Sequence, residues 1–315
     1  MTTIAPPSVL PRGGLRLRSR RRSTTAGRPL PFARQIVLQL LCVLVAVTVI
    51  FPLLWVLSLS IDPRGLTRPD GLNLIPPGAS LEAYANVLER PTSNPISFPE
   101  LARNSFIVAA GTAVVSVLIG VTAAYAFSRL QFRGREVLML AILAVLMLPA
   151  VATIAPLFVL LTRIQFGEFI LGRTLLGVLV AIISSTLPFA IWNLKGYLDT
   201  IPRELEEAAA VDGATRNQSF LRIILPLAVP ALAVTGFLGF IAGWTEYYFS
   251  VIFLSDAQQF TLAVALNGMV GQYSTQTPWS EFSAFAIMFA LPVSIVYLFL
   301  QKYIIGGLAI GGVKG

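Results

Sequence analysis

The sequence has no histidine, one cysteine (Cys42) and only 12% charged residues over 315 positions. Each shortage removes a class of chemistry. Without histidine there is no histidine-type zinc site, no histidine-ligated haem and no imidazole general base. A lone cysteine forms no internal disulfide. No GxxxxGK[ST] segment occurs, so nothing cradles a nucleotide phosphate with backbone amides and a lysine. Aspartate is missing from the long apolar runs, which argues against an intramembrane aspartyl protease, and the Ser–His dyad of a serine type is impossible here.

Apolar residues dominate instead, at 56% of the chain with a mean hydropathy of +0.78. The apolar runs last about 25 residues, or about 37 Å at about 1.5 Å per residue, enough to cross a hydrocarbon core of about 30 Å. They are continuously apolar and lack the alternation of a lumen-facing strand, which favours helices over a β-barrel. The expectation is an all-α membrane protein, a bundle of six transmembrane helices over residues 35–60, 104–128, 137–161, 174–194, 228–254 and 283–305. Prolines fall inside these runs at positions 52, 149, 156, 188 and 292, where each frees a carbonyl and can bend a helix.

With six spans both termini lie on one side, and 17 of the 23 Lys and Arg residues fall on that side. The positive-inside rule then makes both ends cytoplasmic and assigns the +8 net charge to topology rather than to nucleic-acid binding. The expected division is a basic cytoplasmic arm over 1–34, a first transmembrane helix over 35–60, and a periplasmic loop over 61–103 with a short helix near 81–89. A permease domain over 104–305 containing the loop 195–226, and a cytoplasmic tail over 306–315, complete it. The arm lacks acids and is slightly similar to an organellar transit peptide, but a basic anchor for the first span accounts for it.

The loop over 195–226 is the unusual segment. Thr200 and Pro202 are helix-start signals, and Glu204, Glu206 and Glu207 suit the positive end of a helix dipole. Ala208, Ala209 and Ala210 are small and strongly helical, and Gly213 is placed to stop the helix in a left-handed conformation. A second helix can start at Thr215, with Gln218 completing a capping box and Phe220, Ile223 and Ile224 forming an apolar stripe. A knob of alanines and acids suits a protein groove better than a lipid surface.

Glu207-Ala208-Ala209, three residues, Gly213, nine residues, Ile223, one residue and Leu225-Pro226 match the EAA loop of the membrane subunits of binding-protein-dependent ABC importers. The chain therefore resembles that family. LKGYLDTIPRELEEAAAVDGAT, SRLQFRG, FTLAVAL and GGLAIGGVKG are similar, more narrowly, to the smaller membrane subunit of maltose/maltodextrin importers. The resemblance implies a transport subunit without its own catalytic site or cofactor, with ATP and Mg bound by two partner ATPase subunits. It also implies a homologous second permease subunit, an extracytoplasmic sugar-binding protein, and a path for maltose/maltodextrin-type sugars or another sugar. By the same resemblance Glu207, Ala208, Ala209, Gly213, Ile223, Leu225 and Pro226 form the coupling element. A tail with Gly311, Gly312 and Lys314 reaches the ATPases, and the last outer loop, over 255–279, probes the binding protein.

An ion-coupled carrier is the remaining rival, and it wants charged groups inside spans, where each costs about 2.5 to 3.5 kcal/mol. Glu246 is the one acid that stands in one. Its neighbours Trp244, Tyr247 and Tyr248 suit stacking on sugar rings, or equally an interfacial aromatic belt.

Overall fold

The structure is a computed structural model that describes residues 31–64, 74–271 and 277–311. The chain falls into two compact units, Met1–Phe51 and Pro52–Gly315. Of the first, the described part is the start of one helix, α1 (Phe32–Ser60), and the basic arm lies outside the described residues.

Among the described residues four helices are long and apolar enough to cross a membrane: α1, α3 (Phe98–Arg129), α6 (Leu175–Leu198) and the segment Trp279–Tyr303 of α13 (Trp279–Gly311), with the short helix α2 (Glu82–Glu89) between the first two. Two bent pairs bring the number to six if each is one crossing. The result is an all-α multi-spanning bundle, and the six expected spans correspond to counting the bent pairs.

Several boundaries depart from expectation for identifiable reasons. Helix α3 begins six residues earlier than expected, because the Glu100 carboxylate reaches back to accept from the Ser97 N–H at 2.9 Å and the Ser97 hydroxyl at 2.8 Å. The third span is not continuous. α4 (Arg135–Leu146) stops short of Pro149, whose ring keeps the preceding residue out of the helical region, and the chain resumes at 102° through a 3-10 turn into α5 (Ile154–Thr162). A two-residue hairpin, β1 (Gln165–Phe166) with β2 (Phe169–Ile170), then leads to α6, whose first turn is capped by the Thr174 hydroxyl accepting from the Gly177 N–H at 3.2 Å. α6 does not close at Leu194-Lys195-Gly196 but runs on to Leu198.

The expected fifth span, 228–254, is split. A helical stretch over Arg216–Leu227 meets α10 (Val229–Trp244) at 73°, and after Thr245-Glu246-Tyr247 a separate helix α11 (Tyr248–Phe253) follows. Helix α12 (Leu262–Gly268) lies in the expected last outer loop. Leu262 and Ala265 are buried there, so this segment is largely folded onto the bundle rather than free.

Packing within the second unit centres on α3, which runs against both α6 and α10. Gly239 and Gly243 of α10 face Ala113 and Ala109 of α3 so closely that a Cβ on Gly243 would lie 2.7 Å from the Ala109 Cα. In lipid, where apolar burial gives helices little reason to associate, such small-residue contacts supply close van der Waals packing. Three apolar clusters follow one another along α3. One holds Leu101, Phe240, Trp244 and Phe285, one Val108, Val178 and Phe253, and one Val121, Ala124, Leu194 and Ile224.

Candidate functional site

Beyond α6 the chain forms α7 (Glu204–Val211), preceded by Asp199, Thr200, Ile201 and Pro202. Thr200 does not cap this helix; its hydroxyl donates back to the Tyr197 carbonyl at 2.7 Å. The three acids do occupy the first turn. At the other end Gly213 has φ +84°, the Gly213 N–H donates to Ala210 O at 3.1 Å and the Ala214 N–H to Ala209 O at 2.9 Å. This pair of bonds is a Schellman stop, which a side chain at Gly213 would strain. Thr215 then starts α8 (Arg216–Ser219): its hydroxyl accepts from the Gln218 N–H at 3.3 Å while Gln218 Oε1 accepts from the Thr215 N–H at 2.8 Å. A π turn over Phe220–Ile224 and a last short turn, α9 (Leu225–Leu227), complete the second arm of the knob.

The motif residues separate by environment. Ala209 is buried, Ile223 and Leu225 are half-buried, and Glu207, Ala208, Gly213 and Pro226 are exposed. A Cβ on Gly213 would meet nothing within 4 Å in this chain. The exposed tip of α7 ends in Val211, an apolar side chain 88% exposed.

What anchors the knob is a residue that the motif reading did not single out. Glu206 pairs with Arg129 at the end of α3 and accepts from the Tyr125 hydroxyl at 2.9 Å. Arg129 also donates to Ile201 O at 2.8 Å, Arg203 to Ser128 O at 3.1 Å, and Ser128 Oγ to Asp199 Oδ1 at 2.6 Å. The Tyr125 and Phe220 rings pack with centroids 4.7 Å apart. Burial pushes the Asp199 carboxyl up, but hydrogen bonds from Lys195 and Ser128 and the charges of Lys195 and Arg129 outweigh it and hold it below its ordinary value. A cleft of about 320 Å³ opens beside the anchor, with Arg203, Glu207 and Arg216 among its walls.

At the opposite end of the bundle the expected path-lining group does not stand as expected. Trp244 is 2% exposed, sandwiched between Phe240 and Phe289, and its indole N–H donates to Phe289 O at 2.9 Å. It presents no ring face on which a sugar could stack. Glu246 is not free: its carboxylate accepts from the Phe249 N–H at 2.7 Å, the Ser250 N–H at 2.9 Å and the Ser250 hydroxyl at 2.7 Å, capping α11 where the span breaks. The Tyr247 hydroxyl donates to Asn267 Oδ1 at 2.9 Å, and Tyr248, 59% exposed, alone offers an open ring. Gly311 ends α13, while Gly312 and Lys314 lie outside the described residues.

A second cavity of about 320 Å³ lies between α3, α6 and α10, walled by Ser116, Thr186, Phe189, Thr235 and Leu238 among others. Its hydroxyls are already engaged, Ser116 with Thr186 at 3.1 Å and Thr235 accepting from Asn193 at 3.0 Å, so the cavity offers mainly apolar surface. Among the described residues no cluster of three Asp, Glu or Cys side chains is placed to hold a metal ion.

Residues 116–309 match the family described as binding-protein-dependent transport system inner membrane component. The maltose/maltodextrin transport system permease protein MalG of Vibrio vulnificus is 38% identical over 277 residues, covering 85% of this chain and 91% of that protein. The inner membrane ABC transporter permease protein YcjP of Escherichia coli is 38% identical over 245 residues, covering 77% and 83%. A chain of a bacterial ABC transporter involved in the import of the acidic polysaccharide alginate superposes with a TM-score of 0.71 at 25% identity, covering 86% of this chain and 96% of that one.

Proposed function

As the chain belongs to the family of binding-protein-dependent transport system inner membrane components, we propose that its knob over 195–226 is the element through which partner ATPase subunits drive transport. The chain is a multi-pass inner-membrane permease subunit of an ABC importer, not an enzyme in itself. In this reading both termini and the knob are cytoplasmic, and a homologous second permease subunit completes a path for a sugar or polysaccharide. An extracytoplasmic binding protein delivers the substrate, and maltose/maltodextrin-type sugars are its first candidates.

The observation that carries the reading is the asymmetry of the knob. Its root is fastened by charged and hydrogen-bonded groups to α3, while its tip displays Val211, Ala208 and Glu207 to solvent. An apolar tip on a rigid stem fits a cleft in another protein. Closure of the ATPases on ATP would then move the stem, and with it the bundle, between inward-open and outward-open states. The carrier alternative is weakened by Glu246, whose carboxylate is committed to backbone and hydroxyl donors rather than free to bind an ion.

The test is isolation of the native complex followed by a ligand screen of its binding protein with maltose, maltotriose, trehalose and alginate oligosaccharides. Maltotriose-dependent stimulation of ATP hydrolysis supports the maltodextrin assignment. Stimulation by alginate alone reassigns the sugar, and a complex devoid of ATPase subunits removes the importer reading.

A further inference from the structure

Among the described spanning helices α3 is the one with neither an interior proline nor a break. Pro52, Pro188 and Pro292 lie inside α1, α6 and α13, the α4–α5 pair is bent by 102°, and α10 is bent by 73° at one end and stops at Trp244 at the other. The proline of α3, Pro99, sits in the first turn, where its missing N–H has no helical partner to lose. Sharp helix kinks come from interior prolines, bulges and inserted groups, so α3 is the stiffest element available. It also contributes to all three apolar clusters, through Leu101, Val108 and Val121.

Both ends of α3 make polar attachments to loops distant in sequence. At one end Asn104, 1% exposed, donates both of its amide protons, to Gln258 O at 2.8 Å and Phe260 O at 3.0 Å. The adjacent Ser105 hydroxyl accepts from the Leu262 N–H at 2.8 Å. At the other end Tyr125 and Arg129 hold Glu206 of α7. The two attachments are about 37 Å apart along the helix at about 1.5 Å per residue.

We infer that α3 is a tie rod joining the outer segment 256–262 to the knob, with Asn104 and Glu206 as the positioning residues at its two ends. The inference rests on the importer reading for its purpose, but its physics is local. Slipping either loop along the rod would leave buried donors or a buried charge unpaired, which costs more than an ordinary hydrogen bond gains. The loops therefore follow the rod, and whatever fixes the outer segment biases the knob by the same free energy with which docking of the knob biases the outer segment.

Amide hydrogen exchange on the full chain in lipid nanodiscs, with the ATPase subunits that copurify with it, tests this. Asn104→Leu removes both donors at similar volume, and Glu206→Gln removes the charge at the other end. Each variant is expected to speed exchange at the far attachment, 205–211 for the first and 258–262 for the second, by at least about fivefold, the lower edge of ordinary coupling energies. The double variant should then exchange no faster at either loop than the faster single, whereas independent sites this far apart would add. Acceleration confined in both variants to the near loop overturns the tie rod. If Asn104→Leu fails to insert, Ser105→Ala replaces it, and Tyr125→Phe replaces Glu206→Gln, with the same two outcomes. The measurement needs neither substrate nor ATP turnover, so failure of the importer reading and failure of the rod register separately.

Discussion

Replacing Glu206 should destabilise the isolated chain and replacing its neighbour Glu207 should not, although the two acids are adjacent on one helix. Glu206 is 16% exposed against an Arg129 that is 7% exposed, and Tyr125 completes its shell. Truncating Glu206 to alanine leaves the guanidinium of Arg129 with Ile201 O and Ser128 Oγ but no counter-charge. Breaking a buried pair in this way costs about 3–5 kcal/mol, and the remaining neutral acceptors place the expected loss near the lower figure. Glu207 is exposed, and surface substitutions usually stay within about 0.5 kcal/mol. Thermal unfolding of the detergent-solubilised chain, followed by tryptophan fluorescence, separates the cases: Glu206→Ala should melt several degrees lower and Glu207→Ala with the parent. Equal destabilisation by both would refute the assignment of Glu206 as anchor and of Glu207 as a group reserved for a partner.

Two further outcomes follow from the same geometry. Glu246→Gln removes charge-assisted bonds to the start of α11 and should lower stability by about 1.5–3 kcal/mol while leaving the substrate KM of the reconstituted complex unchanged; a large KM shift at unchanged melting temperature would return Glu246 to the path. Asp199 is held below its ordinary value near 3.8, so its contribution to stability is full above that pH and is lost as pH falls through the lower folded value. The melting-temperature gap between parent and Asp199→Asn should therefore shrink as pH falls from the ordinary aspartate value through the lower folded one, and a gap that widens with acidification would contradict the pairing.

The knob was the most legible part of the chain because its determinants are local. Gly213 and the Thr215–Gln218 box lie within a few residues of the turns they make, and both adopt the expected geometry. Ser97 and Glu100, with Pro99 between them, carry the same kind of signal for the start of α3, which hydropathy alone places too late. Pro149 was visible as a bend, though its 102° angle depends on what α5 packs against. Glu206 could not be told from Glu204 or Glu207 by sequence, since its partner lies 77 residues away and is chosen by the packing of α3 against α7. Trp244 misled for the same reason: an aromatic beside an acid near a membrane boundary reads as a binding surface until Phe240 and Phe289 close over it.

Docking of the knob into an ATPase subunit is tested most directly at its tip. Val211 is 88% exposed and a Cβ on Gly213 is free of contacts within this chain, so Val211→Asp and Gly213→Asp meet no clash here; only backbone strain at Gly213, about 1–2 kcal/mol, bears on folding. Affinity purification of each variant from native membranes, with the copurifying ATPase quantified, should show the chain inserted at near-parent levels and the ATPase lost from Val211→Asp and Gly213→Asp alike. Full ATPase recovery with both variants, at unchanged ATP-driven uptake, would contradict the account.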